Sequence, residues 1–229
     1  MALAIMPPGF LKSRTDFLRL RNATPRFMND YDEIIQALNQ RGWIVTDRAV
    51  PLASWTALLA KARELWKAGR FQASEIGQGT NGRQPGIRGD AICWVQPGSA
   101  LAQREFFLWM ARLRQVLNER FNMGLRNQEF HFARYPEGKG YQKHIDQHRG
   151  RNFRKISIVL YLNPAWDAAD GGELCLYQPY QPDVEMQRFA PMGGRLAVFV
   201  SGMIPHAVLP CKKTRWSVAG WLRTDEPSA

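Results

Sequence analysis

A chain of 229 residues that is 45% hydrophobic, with 8 Trp, 12 Phe and 6 Tyr, carries enough apolar volume for a sizeable core, which excludes a disordered or low-complexity protein. Its three cysteines form no C-x-x-C pair, so neither a disulfide framework nor a zinc ribbon is expected, and the default setting is a reducing, cytoplasmic one. The net charge of +11 points to an acidic partner, while no apolar run reaches the ~18 residues of a membrane span, so no membrane partner is expected.

Residues 1–28 are rich in Arg and nearly free of acid, a composition shared with organelle transit peptides. Pro7, Pro8 and Gly9 interrupt any early amphipathic helix, so the segment reads as an ordinary basic, flexible extension. Residues 29–229 read as one domain. A first helix is expected in "NDYDEIIQALNQRGW", with Asn29 as N-cap, acids in the first turn, Ile34, Ile35 and Leu38 at helical spacing, and Gly42 as a stop. A second runs through "PLASWTALLAKARELWKAG" to Gly69, and a third from Ser99 to Gly124. Between them lies a long glycine-rich loop and a short strand near Ala91–Val95.

After Gly124 the period changes. Strand patterns follow near 128–135, 141–146, 154–162, 172–177, 186–190, 194–201, 205–211 and 215–223, divided by Gly or Pro turns. Eight strands without an intervening helix match a jelly roll, or double-stranded β-helix, in 125–224, buttressed by helical support in 29–124. The fold class is therefore mainly β with helical support, α+β in layout.

The chemistry begins at "YQKHIDQH", residues 141–148. An H-x-D alone is weak, but on a strand residues i and i+2 share a face, so His144 and Asp146 can reach one point. His206, in "SGMIPHAVLPC", lies on a later strand candidate and can complete a two-His, one-carboxylate triad, the donor set of non-haem Fe(II) with positions left open. The alternative for His206 is a buried core histidine. His148 then has no role as a ligand and reads as a loop residue. Arg215, nine residues after His206, is suited to bind a carboxylate bidentately; alone it would read as a surface ion pair, but with the triad and its order along the chain it reads as a keto-acid anchor.

Five segments resemble the Fe(II)- and 2-oxoglutarate-dependent oxygenases, specifically the prolyl hydroxylases acting on hypoxia-inducible factor and their bacterial relatives: "GIRGDAICWV" at 86–95, "ARYPEGKGYQKHID" at 133–146, "VLYLNPAWDAADGGEL" at 159–174, "IPHAV" at 204–208 and "TRWSVAGWL" at 214–222. The resemblance implies that His144, Asp146 and His206 are the catalytic iron ligands and that Arg215 and Tyr161 hold the distal carboxylate of 2-oxoglutarate. It places Tyr135 near the metal-bound end of the pocket, with Arg88, Asp90, Arg154 and Trp221 toward the substrate. Arg88 and Asp90 fall in a mobile loop over the target, although by themselves they read as a simple ion pair. Taken without the resemblance, Tyr135, Tyr161 and Trp221 are strand aromatics of the core.

The implied activity is hydroxylation of a prolyl residue in a protein, using Fe(II), 2-oxoglutarate and dioxygen with ascorbate as a reductant, and releasing succinate and carbon dioxide. A translation elongation factor is the substrate that the bacterial relatives suggest. Nucleic-acid dealkylases of the superfamily place a second Arg six residues after the first; here that position is Trp221, which argues against a nucleic-acid partner despite the basic charge. The rival readings are an oxygenase of another residue or a small molecule, and a non-catalytic jelly-roll binding module.

Overall fold

The computed structural model describes residues 31–74, 87–97, 100–147 and 152–225. Helix α1 (Asp32–Arg41) begins with Asp32 and Glu33 and ends with Arg41, charges that complement its dipole, and Gly42 closes it at φ 78°. The expected cap at Asn29 lies outside the described residues. Helix α2 (Leu52–Lys67) stops just before Gly69, as its sequence implies. Helix α3 (Leu101–Phe121) ends earlier than expected, because Asn122 takes the left-handed conformation at φ 49° and terminates the helix before Gly124 is reached. Its expected start at Ser99 lies outside the described residues.

Eleven strands are present among the described residues. Three precede the expected series: β1 (Trp43–Thr46), β2 (Gln72–Ala73) and β3 (Ala91–Trp94). The third was expected; the first two were not, since four and two residues are too short to show a period. Each of the eight later strand patterns overlaps a strand: β4 (Asn127–Tyr135), β5 (Tyr141–His144), β6 (Arg154–Tyr161), β7 (Leu174–Tyr177), β8 (Glu185–Phe189), β9 (Leu196–Val200), β10 (His206–Val208) and β11 (Arg215–Arg223). They form a seven-stranded sheet, β1-β9-β6-β11-β4-β3-β2, facing a four-stranded sheet, β5-β10-β7-β8, with every pairing antiparallel. This is the double-stranded β-helix of the sequence reading, widened by three strands.

Strand alternation divides the larger sheet chemically. Phe130 and Phe132 of β4, Ile156, Ile158 and Leu160 of β6, and Val218 and Leu222 of β11 pack with Leu58, Met110, Leu113 and Leu117 of the helices. The other face of β11 offers Arg215, Ser217, Ala219 and Trp221 to a pocket between the sheets. The helices therefore bury one face and leave the opposite face free for chemistry.

Gly220 sits in the middle of this arrangement, paired with Phe130 on one side and Ile158 on the other. A Cβ there would collide with the carbonyl oxygen of Glu129 and with Phe130, so relief requires the central strands to shift. Gly220→Ala should destabilise the protein by about 1–3 kcal/mol, measured as a lower urea midpoint.

Candidate metal and co-substrate site

The backbone pairs His206 of β10 directly with His144 of β5. Two residues further along β10, Val208 pairs with Tyr141, so three steps on β5 oppose two on β10. This bulge turns Tyr141 to the same side as His144, and their rings stack with centroids 3.6 Å apart, whereas three residues of regular strand would point them to opposite faces. The His144 and His206 rings lie 4.3 Å apart, and Phe199 walls the far side of His206 at 4.6 Å.

Asp146 reaches the histidines by a different route from the one its spacing suggests. Strand β5 ends at His144, so Asp146 is not on a strand face but on the bend that follows. Its carboxylate nonetheless lies 3.5 Å from His144 Nε2 and 3.6 Å from His206 Nε2, and Ser157 donates a hydrogen bond to Oδ2 at 2.7 Å. The three ligand atoms lie within 4.8 Å of one another, a group that could hold a metal ion.

The donor chemistry fits such an ion. His144 Nδ1 is 2.7 Å from the Gln142 carbonyl and His206 Nδ1 is 3.0 Å from the Ile204 carbonyl, so each Nδ1 carries the proton and each Nε2 presents a lone pair. Burial pushes His206 down to about 4, against the pull of Asp146, which keeps the ring neutral at physiological pH. For Asp146 burial acts upward, while the charge that a protonated His206 would carry and the hydrogen bond from Ser157 act downward and hold the carboxyl below the usual carboxylate range. Two imidazoles and one carboxylate suit a divalent transition metal.

The inner end of the same pocket holds a buried cation. Arg215 is 1% exposed, and its guanidinium lies 5.1 Å from the Tyr135 ring centre and 5.0 Å from that of Tyr161. Its Nε donates to the Gly172 carbonyl at 2.9 Å, where a left-handed φ of 71° brings a glycine close against the arginine. No carboxylate pairs with Arg215 among the described residues, and the Tyr161 hydroxyl is buried with no hydrogen-bond partner. Burial raises the pKa of Tyr161, so it remains a hydrogen-bond donor. An uncompensated guanidinium beside an unpaired hydroxyl is a site built for an anionic oxygen ligand.

At the other end, Arg88 and Asp90 form a buried bidentate ion pair at 2.6 and 2.9 Å, with Ser74 donating to Asp90 at 2.6 Å. The segment carrying them runs alongside β5, through Arg88 opposite Tyr141 and through the hydrogen bond from Gln142 N to the Ile87 carbonyl. Residues 75–86 of the loop, and His148, lie outside the described residues. Arg154 is folded onto the Trp221 ring at 3.4 Å and paired with Glu129 at 3.1 Å. The basic side chain therefore flanks the pocket instead of lying on an open surface.

Residues 130–223 match the profile of the 2OG-Fe(II) oxygenase superfamily. A prolyl-4-hydroxylase from Pseudomonas putida is 34% identical, over 86% of this chain and 100% of that one, with a TM-score of 0.77. The chain belongs to the Fe(II)- and 2-oxoglutarate-dependent oxygenases. This oxygenase also shares its fold with a prolyl hydroxylase from Trichoplax adhaerens in complex with a hypoxia-inducible factor peptide fragment (23% identity, 94% and 95% of the two chains, TM-score 0.74) and with a Phytophthora capsici prolyl 4-hydroxylase (22%, 87% and 67%, 0.65). Members of the family use Fe(II), 2-oxoglutarate and dioxygen, and the donor set and buried cation of the oxygenase suit the first two. No described helix is long and apolar enough to cross a membrane.

Sequence reasoning passed over the fourth histidine. His131 of β4 lines the pocket, 2% exposed, between the rings of Trp94 at 5.3 Å and Trp221 at 5.6 Å, and its Nδ1 has no hydrogen-bond partner among the described residues. Burial, aided by Arg88, pushes it down to about 3 from an ordinary value of 6.5, so the unfolded chain takes up this proton first as the pH falls. Stability contributed by the neutral ring is complete above about pH 6.5 and is lost toward pH 3. His131→Met should flatten the acid-side loss of stability of the metal-free oxygenase, measured by urea denaturation across that range; an unchanged slope would contradict this assignment.

Proposed function

We propose that this oxygenase hydroxylates a prolyl residue of a protein substrate, giving 4-hydroxyproline with release of succinate and carbon dioxide. The observation that carries the reading is Arg215: a buried cation without a carboxylate partner among the described residues, in the same pocket as the His144, Asp146 and His206 group. The 34% identity to a prolyl-4-hydroxylase supports the choice of target residue, and a related fold that holds a peptide is consistent with a protein substrate.

In this reading His144, Asp146 and His206 hold Fe(II), which with 2-oxoglutarate and dioxygen supplies the oxidising chemistry that adds one oxygen atom to the target. Arg215 and the Tyr161 hydroxyl receive the distal carboxylate of 2-oxoglutarate, and the Tyr135 ring packs against the same guanidinium. The Nδ1–H groups of both histidines stay bonded to backbone carbonyls, which holds each ring in its ligating orientation. Arg154 and Trp221, with the Arg88–Asp90 pair, line the approach of the target residue, and the apolar walls keep water from the reacting centre. Residues 29–229 act as a single domain on this reading, with 1–28 as an extension.

The charge of +11 suits an acidic protein partner. A translation elongation factor is the substrate proposed first, following the resemblance to bacterial prolyl hydroxylases, and the free thiols of Cys93, Cys175 and Cys211 suit a cytoplasmic setting.

Incubation of the protein with Fe(II), 2-oxoglutarate and candidate acidic proteins, followed by peptide mass spectrometry, should reveal the mass of one oxygen atom on a proline, dependent on both small molecules. Arg215→Ala should raise the KM for 2-oxoglutarate by about 30-fold or more, because one partner of a buried charge pair is lost. Oxygen added only to another residue type, or an unchanged KM, would contradict the proposal.

A further inference from the structure

Asp146 is the one member of the metal-binding group that strand pairing does not hold. Its neighbour Gln147 is tied to the Arg154 carbonyl at 2.6 Å, but the orientation of the carboxylate itself depends on Ser157. Ser157 lies on β6, in the otherwise apolar run "ISIVL", where alternation turns it to the inner face. A serine hydroxyl has one proton. With that proton given to Asp146 Oδ2, the Ser157 oxygen accepts from Ser201, 2.8 Å away and just beyond β9. Both hydroxyls are buried, and neither has another side-chain partner among the described residues.

We propose that Ser201 and Ser157 form a hydroxyl relay that positions Asp146 as a metal ligand. The inference rests on the reading of His144, Asp146 and His206 as a metal site. The relay engages a lone pair of Oδ2, which lies 3.6 Å from His206 Nε2, and so favours Oδ1, 3.5 Å from His144 Nε2, as the ligand atom. A carboxylate on a bend can otherwise rotate about its terminal torsion and offer either oxygen or both; a short charge-assisted hydrogen bond removes that freedom. Ser201 acts only through Ser157, because its hydroxyl polarises the second hydrogen bond without touching the carboxylate. The larger sheet thus contributes the anchor for a ligand whose two companions belong to the smaller sheet.

The relay makes a specific pattern in metal affinity, read without turnover. Metal-free protein is titrated with Co(II), and its d–d absorption gives the dissociation constant. Ser157→Ala should weaken binding by about 10–100-fold, as expected for loss of a hydrogen bond behind a ligand, while Ser157→Thr, which keeps the hydroxyl, stays close to wild type. Ser201→Ala should weaken binding by less than Ser157→Ala, and the double variant should match Ser157→Ala alone. Wild-type affinity in Ser157→Ala, or effects that multiply in the double variant, would overturn the relay. Should Ser157→Ala not fold, as judged by circular dichroism, Ser201→Ala beside Ser157→Thr carries the test, and wild-type affinity in Ser201→Ala overturns it. His144→Ala separates the two levels of the claim: Co(II) binding that survives this substitution overturns the metal site itself, and the relay with it.

Discussion

The pairing of His206 with His144 across β5 and β10 governs where chemistry can occur. A slip of one residue would turn an imidazole to the opposite face, because side chains alternate along a strand. Apolar packing guards that register on both sides. Leu174, Leu176, Phe199 and Ile204 form one inner cluster with Tyr161, and Val208 and Cys211 form another with Ala133, Tyr135 and Trp166. The bulge opposite Val208 adds what a regular ladder lacks, placing Tyr141 against the His144 ring.

Electrostatics complete the arrangement. Burying charge is costly unless partners are supplied, so the protein places its ionised groups at defined points of the pocket. Asp146 accepts a hydrogen bond from Ser157 beside the two imidazoles, and Asp90 is balanced by Arg88 and Ser74. Among the described residues Arg215 has the Gly172 carbonyl as a hydrogen-bond acceptor and no carboxylate, and the Tyr161 hydroxyl beside it has no hydrogen-bond partner. In the proposed function that imbalance is a recognition element, and the cost of an unpaired buried cation would be recovered when a carboxylate binds.

Much of this was legible in the sequence, for identifiable reasons. The later strands announce themselves because β-branched and aromatic residues recur with turn residues between them, and α1 and α2 carry clear stop signals at Gly42 and Gly69. Strands β1 and β2 are too short to carry a period of their own; their existence depends on the partner strands β9 and β3. The helix end at Asn122 was missed because Gly124 is the stronger stop signal in the sequence, while local backbone conformation decided the matter. His144 and Asp146 were rightly read as converging but for an incomplete reason, since the strand ends before Asp146. Ser157, Ser201 and His131 were invisible because their significance is tertiary: each is an ordinary strand or turn residue until the sheets bring it to the pocket.

Diffraction from crystals grown with Mn(II) and 2-oxoglutarate, with anomalous data collected for the metal, tests the central claim most directly. The account predicts one strong anomalous peak bounded by His144 Nε2, Asp146 Oδ1 and His206 Nε2, with the distal carboxylate of the keto acid on Arg215 and the Tyr161 hydroxyl. A peak elsewhere, or a keto acid that leaves Arg215 unpaired, would contradict it.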